Sequence, residues 1–393
     1  MKYLLTATAT LALMAGSASA EDVKIGVLLG FTGPLESLAP PIAAGAELAI
    51  AEISNSGAFL GGSTVTAVRG DSTCADASAA TAAAERLVTS DGVSAIVGAM
   101  CSGASAAVLT NIAMPNGVVM ISPSATSPGL SSLEDNGLFF RMAPSDARQG
   151  QIMTEIIQER DIDTVALTYT NNDYGKGLAD SFQAAFEAAG GTVTLSAPHE
   201  EGKGDYSAEI GALAAAGGQA LVVAGYSDKG GSGIIQAALD TGAFETFVLP
   251  DGMVSQVLEE RFGDLLDGSF GQSPSSDSDG AGVFAELVGD AFESTSTYAK
   301  EGYDAAALIL LAMQAAGSAS SSDFKDKVME IANAPGEPIL PGELDKALKI
   351  LAEGGDIDYV GASAVELIEP GEAAGSYREI EVRDGMIETV GFR

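Results

Sequence analysis

DVKIGVLLGFTGPLESLAPPIAAGAELAIAEIS, residues 22–54, carries the unit from which the fold is read. Residues 22–29 alternate and are β-branched, which predicts a strand. The strand runs into the turn Gly30-Phe31-Thr32-Gly33-Pro34. A helix is expected over 40–54, with the proline pair in its first turn, where a missing N–H breaks no intrahelical bond. Asn55-Ser56-Gly57 ends it. The unit then recurs, with strands expected at 65–69, 93–98 and 118–122 and helices over 75–88 and from Ser105. After Arg141-Met142-Ala143-Pro144 a second series begins. Its helices are expected at 148–160, 177–189, 206–215 and 233–238, and its strands at 164–169, 192–196, 220–224 and 246–249. This alternation predicts an α/β protein with parallel, doubly wound sheets.

Residues 271–282 are rich in Ser, Asp and Gly and read as a loop or crossing segment. Helices are expected at 283–291, 302–316, 322–333 and 344–352. A β-rich tail follows at 364–368 and 377–382, with a hairpin turn at Asp384-Gly385. Two α/β lobes with late-returning segments suit a hinged cleft. Ligands of open α/β sheets bind beyond the carboxyl ends of the strands, so site residues are sought there.

The chain has 393 residues, with 54 Asp+Glu against 19 Lys+Arg and a net charge of −35. Such a surface repels phosphate backbones, so no nucleic-acid partner is expected. With 46% hydrophobic residues there is ample material for a large core. His199 is the only histidine and Cys occurs twice, so a His- and Cys-rich zinc site cannot be assembled. A Ser-His-Asp triad would have to use His199, which beside Glu200 and Glu201 reads as a surface loop residue. No metal and no cofactor are expected. Ser275-Ser276-Asp277-Ser278-Asp279-Gly280, with Glu286 beyond, partly mimics a calcium loop. Its first position is Ser instead of Asp, and it reads as a solvated loop ending in a helix N-terminus.

At the N-terminus Lys2, an apolar stretch over 4–15 and the A-x-A site Ala18-Ser19-Ala20 predict a signal peptide over 1–20, cleaved after Ala20. In an exported chain Cys74 and Cys101 are expected to form a disulfide, with two buried thiols as the alternative.

The segments after the strands are distinctive. The first series holds Gly33-Pro34-Leu35-Glu36, Met100-Cys101-Ser102-Gly103 and Ser122-Pro123-Ser124-Ala125-Thr126-Ser127-Pro128. The second holds Asn172-Asp173-Tyr174-Gly175-Lys176-Gly177, Gly225-Tyr226-Ser227 and Pro250-Asp251-Gly252. In this order, each after an expected strand, they make the chain resemble the periplasmic leucine/isoleucine/valine-binding proteins, which deliver amino acids to ABC transporters. The resemblance covers essentially the whole chain beyond the signal peptide. It implies a type I periplasmic binding fold whose two lobes are joined by three hinge crossings. Residues 21–141 plus 273–377 would form the N-terminal lobe, and 142–272 plus 378–393 the C-terminal lobe. It implies a periplasmic monomer, not an enzyme, whose partners are an amino-acid ligand and the membrane permease of an ABC importer.

The implied site holds a zwitterion. Ser102 and backbone N–H groups near Ala125 and Thr126 would hold the carboxylate. The Ser124 carbonyl, the Thr126 hydroxyl and the Asp251 carboxylate would hold the ammonium, and Tyr174 and Tyr226 would close over it. Neutral hydroxyls and backbone groups solvate a carboxylate, and one buried acid balances one ammonium. Local alternatives stand beside these roles: Ser102 as a helix cap, Thr126 and Asp251 as turn residues, the tyrosines as core. Asp251 stands where the family typically has Glu, and Leu38 where it often has an aromatic residue. Glu36 replaces a usually small residue and either faces solvent or receives a basic ligand group. A branched-chain or similar aliphatic amino acid is the expected ligand. The alternatives are an amide, a short carboxylate or a basic amino acid on the same fold, or a periplasmic hydrolase using Asp173 or Asp251.

Overall fold

Strands rich in Val, Ile, Leu and Ala on both faces need cover on both sides, and they settle between helices as parallel sheet. The computed structural model describes residues 22–393, so the signal peptide and its cleavage site lie outside the described residues. The first series forms β1 (Asp22–Leu29), β2 (Thr64–Asp71), β3 (Ala95–Gly98), β4 (Val119–Ser122) and β5 (Phe139–Arg141). The second forms β6 (Thr164–Thr170), β7 (Thr192–His199), β8 (Ala220–Ala224), β9 (Phe247–Leu249) and β10 (Phe270–Pro274). A small parallel pair, β11 (Glu337–Ile339) and β12 (Ile357–Tyr359), precedes β13 (Leu367–Ile368), β14 (Glu372–Ala373), β15 (Tyr377–Arg383) and β16 (Met386–Phe392).

Two seven-stranded sheets result, ordered β13-β14-β5-β4-β3-β1-β2 and β16-β15-β10-β9-β8-β6-β7. The ladders from β2 to β5 and from β7 to β10 are parallel, and β15 closes antiparallel on β10. In each sheet the order reverses between the first strand and its inner neighbour, β1/β3 and β6/β8, which is where open α/β sheets form ligand crevices.

The chain passes between the sheets after Arg141, after Pro274 and before Tyr377. Residues 273 and 274 pair with Arg378 and Tyr377 in the second sheet, so that sheet extends past the expected boundaries at both crossings.

The expected loop at 271–282 is corrected: its first part is β10, buried throughout. Gly, Gln, Ser and Pro are weak strand formers, and here two flanking ladders impose the strand. Beyond it Ser278 caps the helix Asp279–Val288 by accepting from Ala281 N, as a helix N-terminus requires. The expectation for His199 is also corrected. It ends β7 only 1% exposed, its Nδ1 lies 2.9 Å from Thr168 Oγ1, and burial lowers its pKa to about 4.

In the first lobe the helices Ala39–Ser56 and Ala299–Ala316 pack backbone to backbone. A Cβ at Gly45 would lie 2.3 Å from the Ala299 carbonyl oxygen, and one at Gly302 would lie 2.4 Å from that of Ile42. That approach puts the start of the second helix, with Tyr298 before it, at the cleft. Cys74 and Cys101 form a disulfide with a Cα–Cα distance of 5.3 Å. Linking residues 27 apart restricts the unfolded chain and stabilises by about 3.5 kcal/mol in the chain-entropy description.

Candidate ligand-binding site

Ser102 is the first residue of the helix Ser102–Val108, and Cys101 occupies the cap position, so Ser102 is not the helix cap. Its Oγ accepts from Ser127 N at 3.1 Å, which joins the loop after β3 to the loop after β4 and leaves the hydroxyl proton to donate. Ser122 at the end of β4 makes a second tie. Its Oγ donates to the Ala99 carbonyl at 2.6 Å and accepts from Ala125 N at 3.0 Å. Ser124 Oγ donates to the Met100 carbonyl at 2.9 Å, so the Ser124 hydroxyl is already used.

Beneath this loop lies Arg141, 1% exposed. Its guanidinium donates to the Ala125 and Ser127 carbonyls at 3.1 and 3.0 Å and pairs with Glu372 at 2.5 Å. Ala125 thus has both backbone groups engaged within the protein. Thr126 is buried, its carbonyl accepts from Asp146 N, and its hydroxyl faces the Asp146 carboxylate without a hydrogen bond of ordinary geometry.

Across the cleft Asp251 follows β9 in a short turn and is 2% exposed. Its Oδ1 accepts from Tyr174 Oη at 2.7 Å and Gln149 Nε2 at 2.9 Å, and its Oδ2 accepts from Tyr298 Oη at 2.5 Å. Tyr174 sits in the first turn of the helix Asp173–Ala188, which starts four residues before the expected position because Asn172 caps it. Tyr174 and Tyr226 stack at 5.2 Å between ring centroids, and Asn172 Nδ2 donates to Tyr226 Oη at 3.2 Å. The two rings are buried, not exposed loop residues, and they form one wall of the cavity. Burial first, and then the Asp251 charge, push the Tyr174 and Tyr298 hydroxyls well above their ordinary pKa, so both remain donors.

Leu35, Leu38, Ser102 and Ser124 face Tyr174, Tyr226 and Asp251 across a narrow cavity of about 20 Å³, room for little more than a water. Anything much larger than a water fits there only if the lobes part. Glu36 is exposed and stands outside this lining. Ser37 beside it bridges the lobes, donating to the Asp228 carboxylate from N at 2.8 Å and from Oγ at 2.7 Å. Replacing Asp228 by alanine should weaken ligand binding by up to about tenfold, mainly through faster release. Stopped-flow dissociation would check this, and an unchanged off-rate would remove the latch role.

Asp146, Gln149 and Tyr298 did not stand out in the sequence. Asp146 opens the helix Asp146–Gln158 and is fully buried. Its carboxylate makes no hydrogen bond of ordinary geometry, although the Thr126 hydroxyl faces it. Burial raises its pKa well above the ordinary value and the nearby Asp251 adds to this, while Thr126 and Arg141 oppose it. Two carboxyls, one of them unsatisfied, make an electrostatic environment that a cation relieves. Ser145 before it is the helix cap and an acid in a first turn is ordinary, so local pattern explained Asp146 without a site.

Two doubly wound lobes meeting at a small cavity, mostly apolar with a few placed polar groups, define a bilobal binding protein. The chain belongs to the periplasmic binding protein family, whose model matches residues 22–341. A Pseudomonas aeruginosa protein described as binding leucine, isoleucine, valine, threonine and alanine is 32% identical over 259 residues, 66% of this chain and 68% of that one. The branched-chain amino acid transporter substrate-binding protein LivJ of Streptococcus pneumoniae, solved with isoleucine, superposes with a TM-score of 0.78 at 24% identity, covering 95% of this chain and 99% of that one. A solute-binding protein of an ABC transporter from R. palustris, solved with benzoate, gives a TM-score of 0.74 at 18% identity, covering 94% and 96%. The fold is that of the type I periplasmic binding proteins, and the family is one of solute-binding proteins.

Proposed function

We propose that this chain is the exported, non-enzymatic solute-binding component of an ABC importer. It captures an α-amino acid with an aliphatic side chain and presents it, closed, to a membrane permease. The observation that carries this reading is the pair of buried carboxyls at Asp251 and Asp146. They call for a ligand ammonium. Ser102, on the cavity wall, takes the ligand carboxylate with help from the backbone near Thr126, which stands outside the lining, and Leu35, Leu38 and Met100 supply an apolar wall for its side chain. A benzoate-type ligand has no cation to offer those carboxyls. Cleavage after Ala20 and a monomeric state complete the proposal.

Thermal-shift screening of the twenty amino acids against benzoate and 4-hydroxybenzoate tests it. An amino acid at a hundred times its Kd should stabilise the protein by about 2.7 kcal/mol. A shift with the benzoates alone would refute the zwitterion reading.

A further inference from the structure

Away from the ligand cavity, all three crossings between the lobes line a second cavity of about 180 Å³. Met142 and Pro144 come from the first crossing, Pro274 and Ser275 from the second, and Gly375 and Ser376 from the third. The crossings touch one another. Ser275 N donates to the Ser376 carbonyl at 3.0 Å. Gly375, at φ +90°, lies so near Pro144 that a Cβ there would sit 2.5 Å from the proline Cβ. A rotation of the lobes must change the torsions of these segments, so the size and hydration of this cavity depend on the hinge angle.

Glu301, one helical turn beyond Tyr298, lines the cavity. It is 2% exposed, and its Oε2 has no hydrogen-bond partner. The charged groups around it are Lys300 and Asp304 on its own helix, Arg378 on β15, and Glu366 at the cavity's exposed rim. Both cations are already engaged with crossing residues: Lys300 Nζ donates to Ser275 Oγ at 2.6 Å, and Arg378 Nε to Ser273 Oγ at 2.9 Å. Neither makes an ion pair with Glu301, and the lining residues of the crossings carry no charge. A buried carboxyl so placed is stable as the neutral acid, and the same carboxyl in a wetted cavity is stable as the anion.

We propose that the hinge is proton-linked: Glu301 takes up a proton from solvent as the lobes close and releases it as they part. In the closed form burial raises its pKa to about 7, with Asp304 adding and Lys300 and Arg378 opposing. Opening returns it toward the ordinary carboxylate range. The folded closed state therefore holds the proton across the window between these values, and closure becomes less favourable as pH rises through it. Above about pH 7 both forms are ionised and the dependence ends. One linked proton changes the closed-to-open ratio by at most about tenfold per pH unit.

Small-angle X-ray scattering of the ligand-free protein from pH 5 to 8.5 reads the lobe separation with no ligand needed, so its outcome is independent of which solute binds. The radius of gyration should fall on acidification. Glu301→Gln, close to the protonated acid in shape, should keep the compact form at pH 8 and lose this part of the dependence; any contribution from Asp146 stays. Lys300→Met should move the midpoint to higher pH, a displacement that a purely structural role would not produce. A pH-invariant radius in the wild type, or the same profile in wild type and Glu301→Gln, would overturn the proposal.

Discussion

Replacing Asp251 by asparagine should weaken amino-acid binding by about 2–5 kcal/mol, roughly thirty- to several-thousand-fold. The residue is buried and holds three donors in fixed positions: the Tyr174 and Tyr298 hydroxyls and the Gln149 amide. Asparagine keeps the size and removes the charge, so the loss reports the ammonium pairing. Alanine should do the same and also leave those donors unsatisfied, at about 1–3 kcal/mol for each one that finds no new partner. Tyr298 belongs to the first lobe and Asp251 to the second, so the hydrogen bond between them spans the cleft. Calorimetric titration with the amino acid giving the strongest thermal shift would measure the loss. Unchanged affinity in the asparagine variant would place the ligand ammonium elsewhere.

Arg141→Met should lower folding stability by about 3–5 kcal/mol, because breaking a buried ion pair leaves its partner uncompensated. Glu372, which retains little exposure, would lose its cation, and the Ala125 and Ser127 carbonyls would lose their donor. The loop presenting Ser124 and Thr126 would lose its support, so binding should weaken together with stability. Paired urea denaturation and ligand titration would separate the two effects. A variant with a full transition midpoint and full affinity would show that the loop holds itself.

The alternation of strand and helix was readable because each unit repeats a local signal: an apolar strand, a Gly- or Ser-rich turn, an amphipathic helix. β5 and β10 were not readable. Phe139–Arg141 is three residues long, and Phe270–Pro274 has the composition of a loop; both are strands because neighbouring ladders hold them. The site divides in the same way. Ser102, Ser124, Tyr174, Tyr226 and Asp251 follow strands and carry motifs, and they converge on one cavity. Tyr298 lines it, while Gln149 and Asp146 stand beside Asp251 without lining it; all three come there only through the chain crossings, and each has a sufficient local explanation as part of a helix start or face. Contacts between residues about a hundred positions apart leave no periodic trace. Glu36 shows the reverse case, a residue beside a motif whose side chain points to water.

The interleaving of the lobes also governs the order in which the molecule can be finished. β10 borders on β15 in the second sheet, and β5 borders on β14 in the first, so both sheets keep a bare inner edge until the last part of the chain is in place. Residues 372–393 close the two edges within a few positions of each other. A chain stalled or clipped before them would present two unfilled strand edges, which are templates for pairing with other chains. Completion of the two lobes is therefore one event within residues 372–393, and a molecule lacking them would be sticky before it would be merely inactive.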